Sequence, residues 1–291
     1  MKISLKQLPA FLTVVITAPT LGAQTVFQDT YETSLTSGTG DINFEINDGR
    51  QSGGTTISNY TTNGNNGSAL LNVTAGGPLG AVDLLLLRTN TNGGAASNAG
   101  ATLDANFGTS LENLTYNISF TGYMSTGAGA GTDRWMSIFL AGASTATSPN
   151  AAGVDYGILL RDRDTNNVTQ WQDGSGTTTT ATDPITGISP FAVNTAFTVD
   201  ILVNEGAGTA TTTFNIGTSN ELALAPFAID FEGGDAGNRF LGVRANQGAA
   251  GGLVDFRYDD LQITVVPEAS HAAGILSVLA ISFIAFRRWK K

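Results

Sequence analysis

The residues that come nearest to chemistry are pairs of acids. Hydrolysis of a glycosidic bond uses two carboxyl groups about 5–10 Å apart, and residues i and i+2 of a strand share a face at roughly 7 Å. Asp162 and Asp164 have that spacing, but Arg161 and Arg163 flank them in a polar stretch that reads as a solvated hairpin turn. Glu232 and Asp235 enclose Gly233-Gly234, which again reads as a turn. There is one histidine, His271, near the C-terminal end, and no cysteine. That composition excludes a Ser-His-Asp triad in the body, a thiol nucleophile, a disulfide scaffold and a zinc centre. No residue is assigned a catalytic role.

Binding chemistry is less restricted. Calcium needs only carboxylates and carbonyl oxygens, and Asp29, Glu32, Asp259 and Asp260 are its candidate ligands. Exposed strand-end acids are the other reading of the same four residues. Stacking on sugar rings needs exposed aromatic faces with polar neighbours. Trp171, Tyr156 and Trp135 are the candidates, with Tyr123 behind them, and Trp171 stands first because of its place beside the Asp164–Asn167 turn. The glycine-rich stretches lack the lysine and the strand-to-helix context of a phosphate loop.

The elements that must carry these residues are strands. Asn117–Tyr123, Thr195–Val203 and Thr211–Ile216 alternate apolar with polar residues, and Asn204–Gly208 between the last two is a turn. Further strands are expected at Val26–Thr30, Ile42–Ile46, Ala69–Val73, Val82–Arg88, Trp135–Leu140, Val154–Leu160, Val168–Gln172, Phe240–Arg244 and Leu253–Val265. Asn63–Gly67, Asn92–Gly100 and Gly174–Thr180 read as surface loops, with the threonine run of the last as loop or edge. No body segment keeps a helical face for twelve residues, and no repeat of 20 to 50 residues appears. The fold class is all-β: an antiparallel β-sandwich or jelly roll.

Charge divides the chain into three parts. The formal charge of the 291 residues is −10. Between Gln24 and Val266, eight arginines face 23 acids, a net −15, and all four lysines lie outside that stretch. An acidic body with no clustered basic face excludes nucleic acid as a partner.

Residues 1–23 read as a signal peptide. Lys2 and Lys6 start it, Leu8–Ile16 is its apolar run, and Leu21-Gly22-Ala23 offers small residues for cleavage. The other end has three parts in order: Val266-Pro267-Glu268-Ala269-Ser270, the apolar segment Ala272–Phe286, and Arg287-Arg288-Trp289-Lys290-Lys291. As a helix the apolar segment is roughly 22 Å long, and snorkelling of its basic neighbours extends it toward a membrane span. Positive residues remain cytoplasmic, so the acidic body would lie outside.

This tail resembles the PEP-CTERM sorting signal of Gram-negative bacteria. Pro267 and Glu268 match the first two motif positions, and Ala269 stands where the second proline is expected. The resemblance covers residues 266–291 and implies an exosortase-type processing enzyme as partner, a transmembrane helix at 272–286, and the cell envelope or extracellular matrix as destination. An ordinary C-terminal membrane anchor is the alternative. The body, 24–265, is similar to concanavalin A-like, laminin-G-type sandwiches in its Tyr156–Trp171 hairpin and its final Arg257–Thr264 strand. In such folds the first strand lies beside the last. The Glu-x-Asp-x-x-Glu strand of sandwich-fold β-glucanases is absent, and the body has neither the histidine nor the lysine of polysaccharide lyases. The expectation is therefore a noncatalytic adhesive or polysaccharide-associated module at the cell surface. A polysaccharide-degrading or modifying enzyme on the same fold, and a purely structural envelope protein, are the alternatives.

Overall fold

In a computed structural model of the chain, residues 23–29, 51–52, 55–56, 60–64, 69–75, 78–79, 82–88, 97–125, 134–146, 148–149, 154–163, 166–173, 178–181, 191–229, 237–247 and 254–267 are described. The strands are β1 (Gln24–Asp29), β2 (Gln51–Ser52), β3 (Thr55–Thr56), β4 (Tyr60–Gly64), β5 (Ala69–Ala75), β6 (Val82–Arg88) and β7 (Ser97–Leu103). One helical turn, α1 (Gly108–Leu111), leads into β8 (Thr115–Met124), β9 (Arg134–Ala141), β10 (Val154–Arg163), β11 (Asn166–Asp173) and β12 (Thr178–Ala181). The remaining strands are β13 (Phe197–Asn204), β14 (Thr209–Phe214), β15 (Leu222–Ala223), β16 (Phe227–Ala228), β17 (Phe240–Gln247) and β18 (Val254–Val265). All belong to one unit, Gln24–Val266.

Two antiparallel sheets make the sandwich. One is nine-stranded, in the order β15-β14-β13-β8-β18-β6-β5, with β1 also on β18 and β16 also on β14. The other is seven-stranded, in the order β12-β11-β10-β9-β17-β7-β4, and β2 and β3 pair separately. The alternation read from the sequence is realised in β8, where Tyr116, Ile118, Phe120 and Met124 are buried while Asn117, Ser119 and Thr121 are half-buried on the opposite face. The buried set meets Met136, Ile138 and Leu140 of β9 and Tyr156, Ile158 and Leu160 of β10 in one core. Each large apolar side chain buried there contributes about 2 kcal/mol.

β9 is buried on both faces. Its outward residues Phe139 and Ala141 form a second cluster with Ala146 and Val154. Phe139 is the register partner of Gly157 on one side and Gly242 on the other. A Cβ at Gly242 would meet the Phe139 ring at 2.2 Å, so glycine there leaves the place for the ring. In the main core the Phe197 ring lies on its register partner Gly122 in the same way.

Polar ties also join parts of the fold. Tyr60 of β4 donates its hydroxyl to Asp29 Oδ2 of β1, on the other sheet, at 2.9 Å. Arg239 grips Glu205 with two prongs, Nε to Oε1 at 2.9 Å and Nη2 to Oε2 at 3.2 Å, both side chains being only 4% exposed. The Tyr116 hydroxyl and the Asn113 N–H complete the Glu205 carboxylate, each at 3.0 Å. A buried charge pair survives desolvation only with such added hydrogen bonds.

The structure departs from the sequence reading in three places. Ser97–Leu103, placed within or beside an expected loop, forms β7 between β17 and β4. Its Ala-Gly-Ala run carries no apolar alternation, and pairing to β17 decides it. The β10–β11 hairpin continues to Arg163 and Asn166, so Asp162, expected in the turn, is in the ladder opposite Asn167 and Arg134. Tyr60–Gly64, unassigned or taken as the start of a loop, is the edge strand β4. The threonine run is strand β12 at a sheet edge, and the Ile42–Ile46 expectation lies outside the described residues.

Candidate functional site

The outer face of the nine-stranded sheet carries an open groove of about 360 Å³. Gln28, Ser119, Thr121, Thr198, Asp200, Ile216, Asp260 and Gln262 line it over Phe120 and Val199. Strand register explains why these residues meet. Thr213, Asp200, Ser119, Gln262 and Gln28 are successive partners across β14, β13, β8, β18 and β1, a row of five polar side chains. With adjacent strands about 4.8 Å apart, that row runs roughly 19 Å. The next row on the same face is Thr211, Leu202, Asn117, Thr264 and Thr25.

Local contacts set the groove's charged and apolar points. The Asn117 side-chain amide donates to Asp200 Oδ1 at 3.0 Å, orienting that carboxylate on the face. Asp260 is the extra residue of a bulge in β18 between Asp259 and Gln262, with φ of 50°. At this bulge β18 changes partner on one side, from β6 up to Tyr258 to β1 from Leu261 onward. The Asp260 N–H donates to Asp259 Oδ1 at 2.9 Å, which fixes the kink. At the opposite rim, Asn215 holds the turn that presents Ile216: its N–H donates to the Thr198 carbonyl and its Oδ1 accepts the Thr198 N–H. Ile216 is 57% exposed and Leu202 44%.

The lining therefore offers two carboxylates, two amides, three hydroxyls and one aliphatic surface, with no lysine, arginine or histidine among them. Such a set can donate to and accept from a hydroxyl-rich ligand. It contains no imidazole, amine or thiol to serve as nucleophile or base.

The residues singled out from the sequence fall elsewhere. Tyr156 is wholly buried and stacks on Phe227 at 5.6 Å, so the expected sugar platform is a core residue. Burial pushes its hydroxyl well above the usual tyrosine range, with the Thr212 hydroxyl opposing. Trp135 is 7% exposed, in β9 between Arg161 and Asn246, and is likewise corrected from platform to packing residue. The two are covered on different faces: Tyr156 points with Ile158 and Leu160 into the main core, whereas Trp135 is on the outward face of β9 with Phe139. In both, the apolar bulk of the aromatic is drawn into cover. Trp171 lies in β11 opposite Ile158 and Thr179, and its side chain lies outside the described residues. Tyr123 is half-buried, in register with Arg257.

Of the calcium candidates, Asp29 pairs with Leu261 beside the Asp259–Asp260 bulge. The Asp29 carboxylate takes the Tyr60 hydroxyl, and Asp259 takes the Asp260 N–H. Among the described residues no group of three or more acids is arranged to hold a metal ion, and Glu32 lies outside them. Val266 donates its N–H to the Thr115 carbonyl at 2.9 Å and Pro267 follows it. The signal peptide up to Gly22, Asp164, Glu232, Asp235, Glu268, Ala269, Ser270, His271, the 272–286 segment, Arg287, Arg288, Lys290 and Lys291 lie outside the described residues. Among the described residues no helix is long and apolar enough to cross a membrane.

Asp200, Ser119 and Gln262 were not singled out by sequence reasoning. The alternating runs Asn117–Tyr123 and Thr195–Val203 place Asn117, Ser119 and Thr121 on one face and Thr198 and Asp200 on one face. Register alone tells that the two faces are neighbours.

No protein-family model matches this chain, and no curated protein matches it. Among solved structures, lectin II from Ulex europaeus is similar at 11% identity and TM-score 0.48, over 72% of this chain and 93% of that one. Lectin I-B4 from Griffonia simplicifolia is similar at 14% identity and TM-score 0.47, over 71% and 93%. The Emp47p carbohydrate recognition domain is similar at 12% identity and TM-score 0.46, over 77% and 94%.

Proposed function

We propose that this chain is an exported bacterial surface protein, held by its C-terminal tail for exosortase-type processing, whose sandwich is a noncatalytic polysaccharide-associated module. The reading is supported chiefly by where the folded unit begins and ends. β1 opens at Gln24, directly behind the expected cleavage point, and β18 closes at Val265, directly before Val266-Pro267-Glu268. Gln24 and Val265 are register partners, so the body tucks its own two ends into one pair of strands. A signal peptide can leave and a tail can be cut without removing a described strand.

The acidic body, net −15, agrees with display on the far side of the membrane from the basic end. The hydroxyl, amide and carboxylate groups of the groove suit a sugar polymer.

Mass spectrometry of the C-terminus in cells with and without the exosortase tests the delivery half. Loss of Glu268–Lys291 only in the exosortase-positive strain is expected, and an intact tail in both strains refutes processing. Polysaccharide retention without release of reducing ends tests the other half. Release that disappears on replacing Asp162 or Asp164 would turn the assignment to an enzyme.

A further inference from the structure

Resting on the polysaccharide reading above, we infer that the groove on the nine-stranded sheet is the binding site, and that it takes uncharged polysaccharide laid across the strands while refusing polyuronates. Three observations carry this. The row from Asp200 through Ser119 and Gln262 to Gln28 crosses four strands with a polar side chain at every step. An extended, hydroxyl-rich chain running perpendicular to the strands meets a donor or acceptor about every 4.8 Å. No aromatic side chain shares this row, so recognition comes from repeated hydrogen bonds along a polymer and weakens steeply for short oligomers.

The second observation is charge. Asp200 and Asp260 are the ionisable lining residues, and no cation stands among them. Arg257, the arginine of β18, is opposite Tyr123 in the row next to that of Thr121 and Asp259, two rows from Ser119 and Gln262, and is not among the lining residues. A uronate carboxylate in this groove would face like charge in a body of net −15, whereas neutral hydroxyls find acceptors in the same carboxylates. Third, Ile216 is fixed at the rim by the Asn215 turn and is 57% exposed. It offers an apolar contact for the carbon face of a sugar ring, with Leu202, 44% exposed, in the next row of the same face.

Affinity electrophoresis of the full chain in mild detergent tests the site and its selectivity together. The gels contain neutral polymers (a soluble glucan, a mannan, a xylan and a galactan), polygalacturonate, or the same polygalacturonate after reduction of its carboxyl groups. Retardation by at least one neutral polymer and by the reduced polymer, with at least tenfold weaker retardation by polygalacturonate, is expected. Ser119→Trp fills the groove and Gln262→Ala removes one step of the row, and each should weaken retardation at least fivefold. Far-UV circular dichroism identifies any variant that has failed to fold, and Gln262→Ala, a small change on a half-buried side chain, stands in if Ser119→Trp does. Asp200→Asn should raise binding of polygalacturonate. Equal binding of polygalacturonate and its reduced form overturns the charge filter. Unchanged binding in the folded groove variants overturns the site while the polysaccharide reading stands. If wild-type protein is retarded by no polymer, that reading falls as well.

Discussion

The hydroxyl of Tyr258, carried by β18 of one sheet, lies 3.0 Å from the carbonyl oxygen of Ser137 in β9 of the other and donates to it. It accepts the Ser137 N–H at 3.1 Å, and the Arg244 carbonyl of β17 competes for its proton at 3.1 Å. A side chain from one layer thus completes the backbone hydrogen bonding of the opposite layer, in a fully buried setting. Removing the hydroxyl leaves buried backbone groups without that partner, at about 1–3 kcal/mol. Tyr258→Phe should lower the urea midpoint accordingly with an unchanged denaturant slope. A midpoint equal to wild type would show that the tie is dispensable.

Three tyrosines make stability depend on alkaline pH. Burial pushes Tyr258, Tyr116 and Tyr156 well above the ordinary value of 10.0, and the Glu205 charge and hydrogen bond push Tyr116 further. Their folded-state values exceed the unfolded ones, so the folded chain holds protons that the unfolded chain releases. Stability is fully present below pH about 10 and falls above it by roughly 1.4 kcal/mol per pH unit for each tyrosine. Ultraviolet titration should show these three tyrosines ionising together with loss of the β-sheet signal. Their ionisation before unfolding would contradict the burial.

Arg239→Ala should be among the most destabilising single changes. It strands the Glu205 carboxylate, at 4% side-chain exposure, with the Tyr116 hydroxyl and the Asn113 N–H as its remaining described donors. Breaking a buried pair from one side costs about 3–5 kcal/mol. The comparison is with Arg239→Ala combined with Glu205→Gln, which removes the charge left behind and should recover part of the loss in a thermal melt.

Gly242→Ala tests the seat of Phe139. Its Cβ would overlap three ring atoms at 2.2–2.9 Å, so the ring must move within a closed cluster. Overpacking of this kind costs about 1–3 kcal/mol. In Phe139→Leu the same glycine change should cost less, and a double-mutant cycle on chemical denaturation measures the coupling. Strict additivity would mean that ring and glycine do not constrain each other.

The strands that alternate cleanly were legible from the sequence, because a half-buried strand writes its two faces into period two. Val82–Arg88 matches β6 residue for residue, and β8, β13 and β18 differ from expectation by a few terminal residues. The small-residue strand β7 was not legible. Its Ala99, Gly100 and Ala101 gain their order from β17, whose partners Ala245, Arg244 and Val243 come far later in the chain, and from β4, whose partners Gly64, Asn63 and Thr62 come well before it. The same limit hid the groove. Ser119 and Asp200 are each readable as outward residues, but that they face each other is set by the β8–β13 register, and Gln28 joins them only because β1 returns to β18. The aromatics misled for the same reason. Tyr156 faces the other sheet, against Phe227, and Trp135 is on the outward face of β9 shared by Phe139, which is itself covered, and no local pattern in the sequence tells either.

β18 is the final strand of the body, yet it occupies the interior of its sheet, with β8 along one side and β6 and β1 end to end along the other. Order of synthesis and order of assembly are therefore opposed. A chain emerging from its N-terminus carries β1 with no partner and leaves β6 and β8 each lacking a neighbour until Val254–Val265 arrives. Pairings so distant in sequence close late and slowly. The sandwich can close only once this last strand has been made. Its premature fragments, with raw strand edges, are the ones that aggregate.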